Sequence, residues 1–228
     1  KRVLTGESLD LARLKTAPEG MTIYLCLPAT RMGTHGRWFR LFINMAIEEM
    51  GRTSGRPATD LQTLFVLDEF HALGHMQVIA TAAALMAGDP YHVKLWTILQ
   101  DLSQLKHLYK DQWETFLGNA GVVQFFGNND MTTLQEASKR LGKTPVLVER
   151  GSEVSRQAEM GGATGESWSH EVHDLLSPTE VAQFFRRNDP EQRSLLLYAD
   201  WPDPIIVERV HYDEFTPVFG NKFDVLRG

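Results

Sequence analysis

The 228-residue sequence has a single cysteine, Cys26, and no apolar run near the ~20 residues that a membrane-spanning helix needs. Its first residues, Lys1 to Asp10, carry no signal-peptide pattern, so the segment is expected to be soluble. A lone thiol excludes an intramolecular disulfide and the thiolate clusters of structural zinc sites, and it fits a reducing compartment. An excess of basic residues is also missing. Lys and Arg number 23 against 29 Asp and Glu, a net charge of −6, so contact with nucleic acid would require a local patch. With 43% hydrophobic and 23% charged residues, the disordered and fibrous classes are excluded. One domain spanning 1–228 with a substantial core is expected at this length.

Four short, continuously apolar runs read as buried strands: Met21 to Pro28, Leu61 to Leu67, Lys94 to Leu99 and Gly121 to Phe126. Helical stretches alternate with them. From Trp38 the positions Leu41, Phe42, Met45 and Ala46 recur at helical spacing, and Met76 to Ala87 is rich in helix formers. Two more helical stretches run through Leu117 and from Met131 to Leu141. This alternation predicts an α/β fold with a predominantly parallel sheet covered on both faces. Residues 151–170, rich in Gly, Ser and Glu, predict a mobile surface loop. Ser177-Pro178 followed by Glu180 marks a helix start, and Ser194 to Tyr198 with Ile205 to Val210 predicts a C-terminal antiparallel strand pair.

In a doubly wound sheet, ligands sit outside the carboxyl ends of the parallel strands. Two runs end there in polar residues, "LFVLDEF" in Asp68 and Glu69 and "KLWTILQ" in Gln100. An Asp after a buried strand can hold Mg²⁺ directly or through water, and an adjacent Glu can activate a water for attack on a γ-phosphate. A neutral amide on the next strand can bond both that water and a phosphate oxygen. The bland alternative is a pair of solvated acids opening a turn and a Gln flanking a helix. A phosphate-binding G-x-x-x-x-G-K-[ST] loop is not found: "GKT" at Gly142, Lys143 and Thr144 has Ala137 at the first glycine position and reads as a helix C-cap. His71 with His75, and His170 with His173, have spacings that could chelate a metal, although exposed or core-satisfied histidines are the default. Lys139, Arg140, Lys143 and Arg150 form one basic group and Lys106, His107 and Lys110 another. Each reads as a solvated face, or as a path for nucleic acid, with Arg140 a candidate trans-acting finger.

"LFVLDEFHALGHM", "KLWTILQDLSQLKHLY" and "FLGNAGVVQFFGNNDMTTLQEASKRLGKT", in this order and spacing, resemble the coupling ATPases of type IV secretion and conjugative DNA transfer. "GESWSHEVHDLLSPTEVAQFF" also resembles a stretch near the end of that family's motor domain. The resemblance implies a RecA-like P-loop motor using ATP and Mg²⁺. It implies a homo-hexamer at the cytoplasmic face of the bacterial inner membrane that passes DNA or protein secretion substrates to the type IV secretion channel. By the same resemblance Asp68 is the Walker B acid, holding Mg²⁺ via water, Glu69 the catalytic base, and Gln100 the γ-phosphate sensor. The chain then corresponds to the C-terminal part of the nucleotide-binding domain without the P-loop, inactive alone, with membrane contact only through a segment it lacks. Competing readings are a related hexameric DNA translocase or secretion ATPase, a non-catalytic interaction module, and a metal-dependent hydrolase using Asp68, His71 and His75.

Overall fold

The computed structural model describes residues 9–53, 55–85, 91–151 and 166–210. The chain divides into two compact units, Lys1–Val123 and Gln124–Gly228. In the first lie α1 (Arg13–Thr16), α2 (Met32–Arg52), β1 (Thr63–Leu67), α3 (Gln77–Leu85), β2 (Val93–Thr97), α4 (Leu102–Tyr109) and α5 (Trp113–Gly118). β1 and β2 pair in parallel, from Thr63 opposite Val93 to Leu67 opposite Thr97. Packed with them is a core that includes Ile47 and Met50 of α2, Phe70 and Ile79, and Leu105 of α4, all essentially inaccessible to water.

Three expectations are corrected here. Met21–Pro28 forms no strand: its side chains are alternately half-buried and exposed, Tyr24 being 84% exposed, but it has no ladder partner among the described residues. A strand is defined by pairing, which an apolar run cannot supply by itself. The parallel pair is also covered on one face only, because Leu64, Val66, Trp96 and Ile98 point to the open side. Finally, the buried stripe of α2 is Gly36, Ile43, Ala46, Ile47 and Met50, while Trp38, Leu41 and Met45 are exposed. The helix is apolar over a wide arc, and the core takes the arc that carries the aliphatic i, i+4, i+7 row.

Lys15 of α1 is buried, and its ammonium donates to the carbonyls of Met50 (2.7 Å) and Thr53 (3.0 Å) at the end of α2. A cation there satisfies carbonyls the helix leaves open and complements its dipole. Burial lowers the Lys15 pKa.

The division between the units falls inside β3 (Val122–Phe125). The second unit continues with α6 (Met131–Leu141), β4 (Lys143–Gly151), β5 (Glu166–Asp174), α7 (Pro178–Phe184), β6 (Arg193–Tyr198) and β7 (Ile205–Glu208). The sheet order is β3-β6-β7, and β6 with β7 is the expected antiparallel pair, Arg193 opposite Glu208. The α/β class therefore stands, with a parallel pair in one unit and antiparallel pairs in the other. Gly142 closes α6 at φ 83°, as its reading as a C-cap requires, and Asp130 caps the helix start by accepting the Thr133 N–H at 2.9 Å. The loop expected over 151–170 is shortened from both sides. Gly151 ends β4 and residues 166–170 belong to β5, which pairs along its whole length with β4; residues 152–165 lie outside the described residues. Pairing is made by backbone groups that nearly every residue carries, and even Pro145 has a place in the register, opposite Val172, so composition hid this ribbon.

Ser177 caps α7 in a reciprocal box. Its hydroxyl accepts the Glu180 N–H at 3.3 Å, and the Glu180 carboxylate accepts the Ser177 N–H at 2.8 Å. Ser177→Ala should cost about 1 kcal/mol in urea unfolding, the usual value of an N-cap, and a loss near zero would show the box to be idle. Asp189 is buried and bonded by the Arg193 guanidinium through both oxygens at 2.8 Å, which holds its carboxyl well below the usual carboxylate range. A depressed folded-state pKa gives stability that is full above the unfolded pKa and lost as pH falls through the folded one. Asp189→Asn should thus flatten the acid limb of the unfolding midpoint below about pH 4. An acid limb identical to that of the parent protein would contradict the assignment.

Candidate functional site

The parallel ladder extends past the last strand residues. Ile98 N–H donates to the Leu67 carbonyl at 3.0 Å, and Phe70 N–H returns to the Ile98 carbonyl at 3.1 Å. Between those two bonds the chain must turn, and it does so with Glu69 in the left-handed region at φ 47°, ψ 43°. Asp68 Oδ1 accepts the Glu69 N–H at 3.0 Å, closing the turn locally. The consequence is that Glu69 lies over the end of the neighbouring strand. Gln100 Nε2 is 3.5 Å from both Oε1 and Oε2 of Glu69, a fork at the outer limit of hydrogen-bond distance. Immediately after Gln100, Asp101 caps α4 by accepting the Gln104 N–H at 2.9 Å. The structure therefore brings Asp68, Glu69 and Gln100 to one end of the β1–β2 pair, all three exposed.

Such a set offers two solvent-facing carboxylates and one neutral amide. An exposed Asp suits a hydrated Mg²⁺, which prefers to keep several waters and take only one or two carboxylates from protein. Glu69 can accept a proton, and Gln100 can hold the carboxylate in place without adding charge. On this count the residues present fit the metal and water side of a nucleotide. Gly142, Lys143 and Thr144 do not fit the phosphate side, since Gly142 ends α6 and the other two begin β4.

The other candidate residues are placed differently. Lys106, on α4, is exposed above the Trp113 ring at 5.8 Å, and Lys110, just beyond α4, is exposed with φ 47°. Arg140 belongs to the second unit, where its Nε donates to Glu136 of the same helix at 2.7 Å. His71 lies in a 3₁₀ turn, Phe70–Leu73, ended by Gly74 at φ 69°, so no helix joins it to His75, whose ring packs on Tyr109. His170 and His173 are an odd number apart on β5 and face opposite sides of the ribbon. Among the described residues no group of three His, Cys, Asp or Glu is arranged to hold a metal, which removes the basis for a hydrolase built on Asp68, His71 and His75. Sequence reasoning passed over Phe70, Tyr109 and Arg40, which hold the turn after Glu69. The available signal was an aromatic directly after the acid pair and another at the end of the helix after Gln100.

Residues 1–218 match the family described as Type IV secretory system Conjugative DNA transfer. The conjugal transfer protein TraG of Agrobacterium fabrum is 29% identical over 186 residues, covering 78% of this chain and 26% of that protein. Protein VirD4 of Rhizobium radiobacter is 33% identical over 135 residues, 59% of this chain and 19% of that protein. The chain thus spans about a quarter or less of these relatives. Among solved structures, the plasmid coupling protein TrwB in complex with ADP and Mg²⁺ superposes with a TM-score of 0.65 at 14% identity, over 88% of this chain and 42% of that one. The fold is that of TrwB, a RecA-like α/β fold.

A left-handed conformation at a residue with a Cβ costs about 1–2 kcal/mol, which glycine avoids. Glu69→Gly should therefore raise the unfolding free energy by about 0.5–1 kcal/mol in a denaturant titration. A loss of stability would mean that the Glu69 side chain contributes more to the fold than its backbone costs.

Proposed function

The chain belongs to the Type IV secretory system Conjugative DNA transfer family, and from that premise we propose that it is part of an ATP-driven coupling motor. The motor recruits DNA or effector protein substrates and delivers them to a type IV secretion or conjugation channel. It works as a homo-hexamer at the cytoplasmic face of the inner membrane. Supporting the membrane side of this reading is the family alone: among the described residues no helix is long and apolar enough to cross a membrane.

The observation that carries the reading is the Gln100 amide set on both oxygens of Glu69 at the ends of adjacent parallel strands. When bound, Mg²⁺ supplies charge neutralisation on the transferred phosphoryl oxygens. Asp68 would hold that ion through water. Glu69 accepts the proton of the attacking water, and Gln100 orients both Glu69 and the water toward the γ-phosphate. Lys106 and Lys110 offer exposed cations for substrate phosphates, and Arg140 is the candidate for reaching a neighbouring subunit. A second reading, a non-catalytic interaction module, draws on the exposed apolar face of Leu64, Val66, Trp96 and Ile98.

Hydrolysis separates the two. The full-length protein should hydrolyse ATP with Mg²⁺, and Glu69→Gln should lower kcat by about 10²-fold or more while ATP binding persists. The 228-residue chain alone, without G-x-x-x-x-G-K-[ST], should bind ATP weakly and not turn it over. Full turnover in the Glu69→Gln protein would overturn the role given to Glu69, and an inert full-length protein would favour the interaction module.

A further inference from the structure

We infer that Tyr109, acting through Phe70, is a positioning residue that holds Glu69 against Gln100. The inference rests on the nucleotide reading of that pair. Glu69 is in a conformation that persists only where its surroundings impose it. What imposes it begins one residue later. Phe70 is fully buried, and its ring stacks on Tyr109 with centroids 5.8 Å apart and planes 18° apart. Phe116 closes the cluster at 5.9 Å from Phe70 and 4.7 Å from Tyr109.

The same tyrosine also fastens the far end of the loop. Its buried hydroxyl accepts the Met76 N–H at 3.3 Å and donates to the Met76 carbonyl at 3.4 Å. Burial raises the phenol's pKa, which keeps it a donor. Between these fixed points His75 packs on the Tyr109 ring at 5.0 Å, and Arg40 of α2 donates to the His75 carbonyl at 2.9 Å. One side chain therefore secures residues 70 and 76, leaving the turn at Glu69 little freedom. Tyr109 is also the last residue of α4, whose cap, Asp101, directly follows Gln100. A single helix thus sets both partners: its first end adjoins the amide, and its last residue clamps the neighbour of the carboxylate. Neither Tyr109 nor Phe70 touches the reacting groups.

The test measures ATP hydrolysis by the full-length protein and, separately, amide exchange at Phe70. Tyr109→Leu removes the ring stack and should lower kcat by about tenfold, with KM for ATP within about twofold, because misplacing a catalytic group slows chemistry without weakening substrate binding. Tyr109→Phe keeps the stack but frees Met76, and should lower kcat by about threefold. Phe70→Leu combined with Tyr109→Leu should be clearly less than additive, since both act on one contact. If Tyr109→Leu does not fold, Tyr109→Phe decides. An unchanged kcat in the folded Tyr109 variants overturns the inference, as does a loss of kcat/KM carried wholly by KM. Exchange at Phe70 should quicken in Tyr109→Phe while Leu134 exchange stays constant, and this readout does not depend on turnover. Unchanged Phe70 exchange overturns the positioning role. Full turnover in the Glu69→Gln protein, or an inert full-length protein, overturns the nucleotide reading of the Glu69–Gln100 pair instead, so the two failures are distinguishable.

Discussion

Everything at the candidate site depends on two backbone bonds, in which the Ile98 N–H donates to the Leu67 carbonyl and the Phe70 N–H donates to the Ile98 carbonyl. They carry the parallel ladder beyond the strand ends and fix where the chain may turn. With the bonds in place, only Asp68 and Glu69 lie between two anchored residues, and the turn is made in the left-handed region. A parallel register also puts the two strand ends side by side, so the carboxylate of one meets the amide of the other. In an antiparallel pair the two ends would be at opposite edges.

The cost of that turn is met by the packing under it. The Phe70, Tyr109 and Phe116 rings bury a contiguous apolar surface next to an exposed, strained acid, which is how strained residues persist at functional sites. The exposed face of Leu64, Val66, Trp96 and Ile98 shows the opposite condition, with one side of the same strands left uncovered. The first unit thus combines a packed aromatic cluster beside the acid pair with an apolar strand face that is open to solvent.

Much of this was legible in the sequence, because the signals were local. Asp68, Glu69 and Gln100 stood at the ends of short apolar runs, and a strand end is where a parallel sheet presents polar groups. Ser177 with Pro178 and Glu180 announced a capped helix, and Gly142 announced the end of one. Legibility failed where pairing decided the outcome. Met21–Pro28 has strand composition but no ladder partner among the described residues, whereas 166–170 has loop composition and pairs with β4. It failed again on α2, where Trp38, Leu41 and Met45 have the right period for a core but lie on the arc the core does not use. Tyr109 was invisible for a similar reason, since its partners Phe70 and Met76 are brought to it only by the fold.

Membership of the conjugative DNA transfer family and likeness to TrwB, solved with ADP and Mg²⁺, supply the context in which the acid pair and the amide make chemical sense. The central claim is that these three side chains face one triphosphate. The most direct measurement is a crystal structure of the full-length protein with Mg²⁺ and a non-hydrolysable ATP analogue. The account predicts Asp68 bonded to water on the ion, and Glu69 and Gln100 both directed at the water beside the γ-phosphate. A triphosphate bound elsewhere, with the ends of the β1–β2 pair facing open solvent, would contradict it.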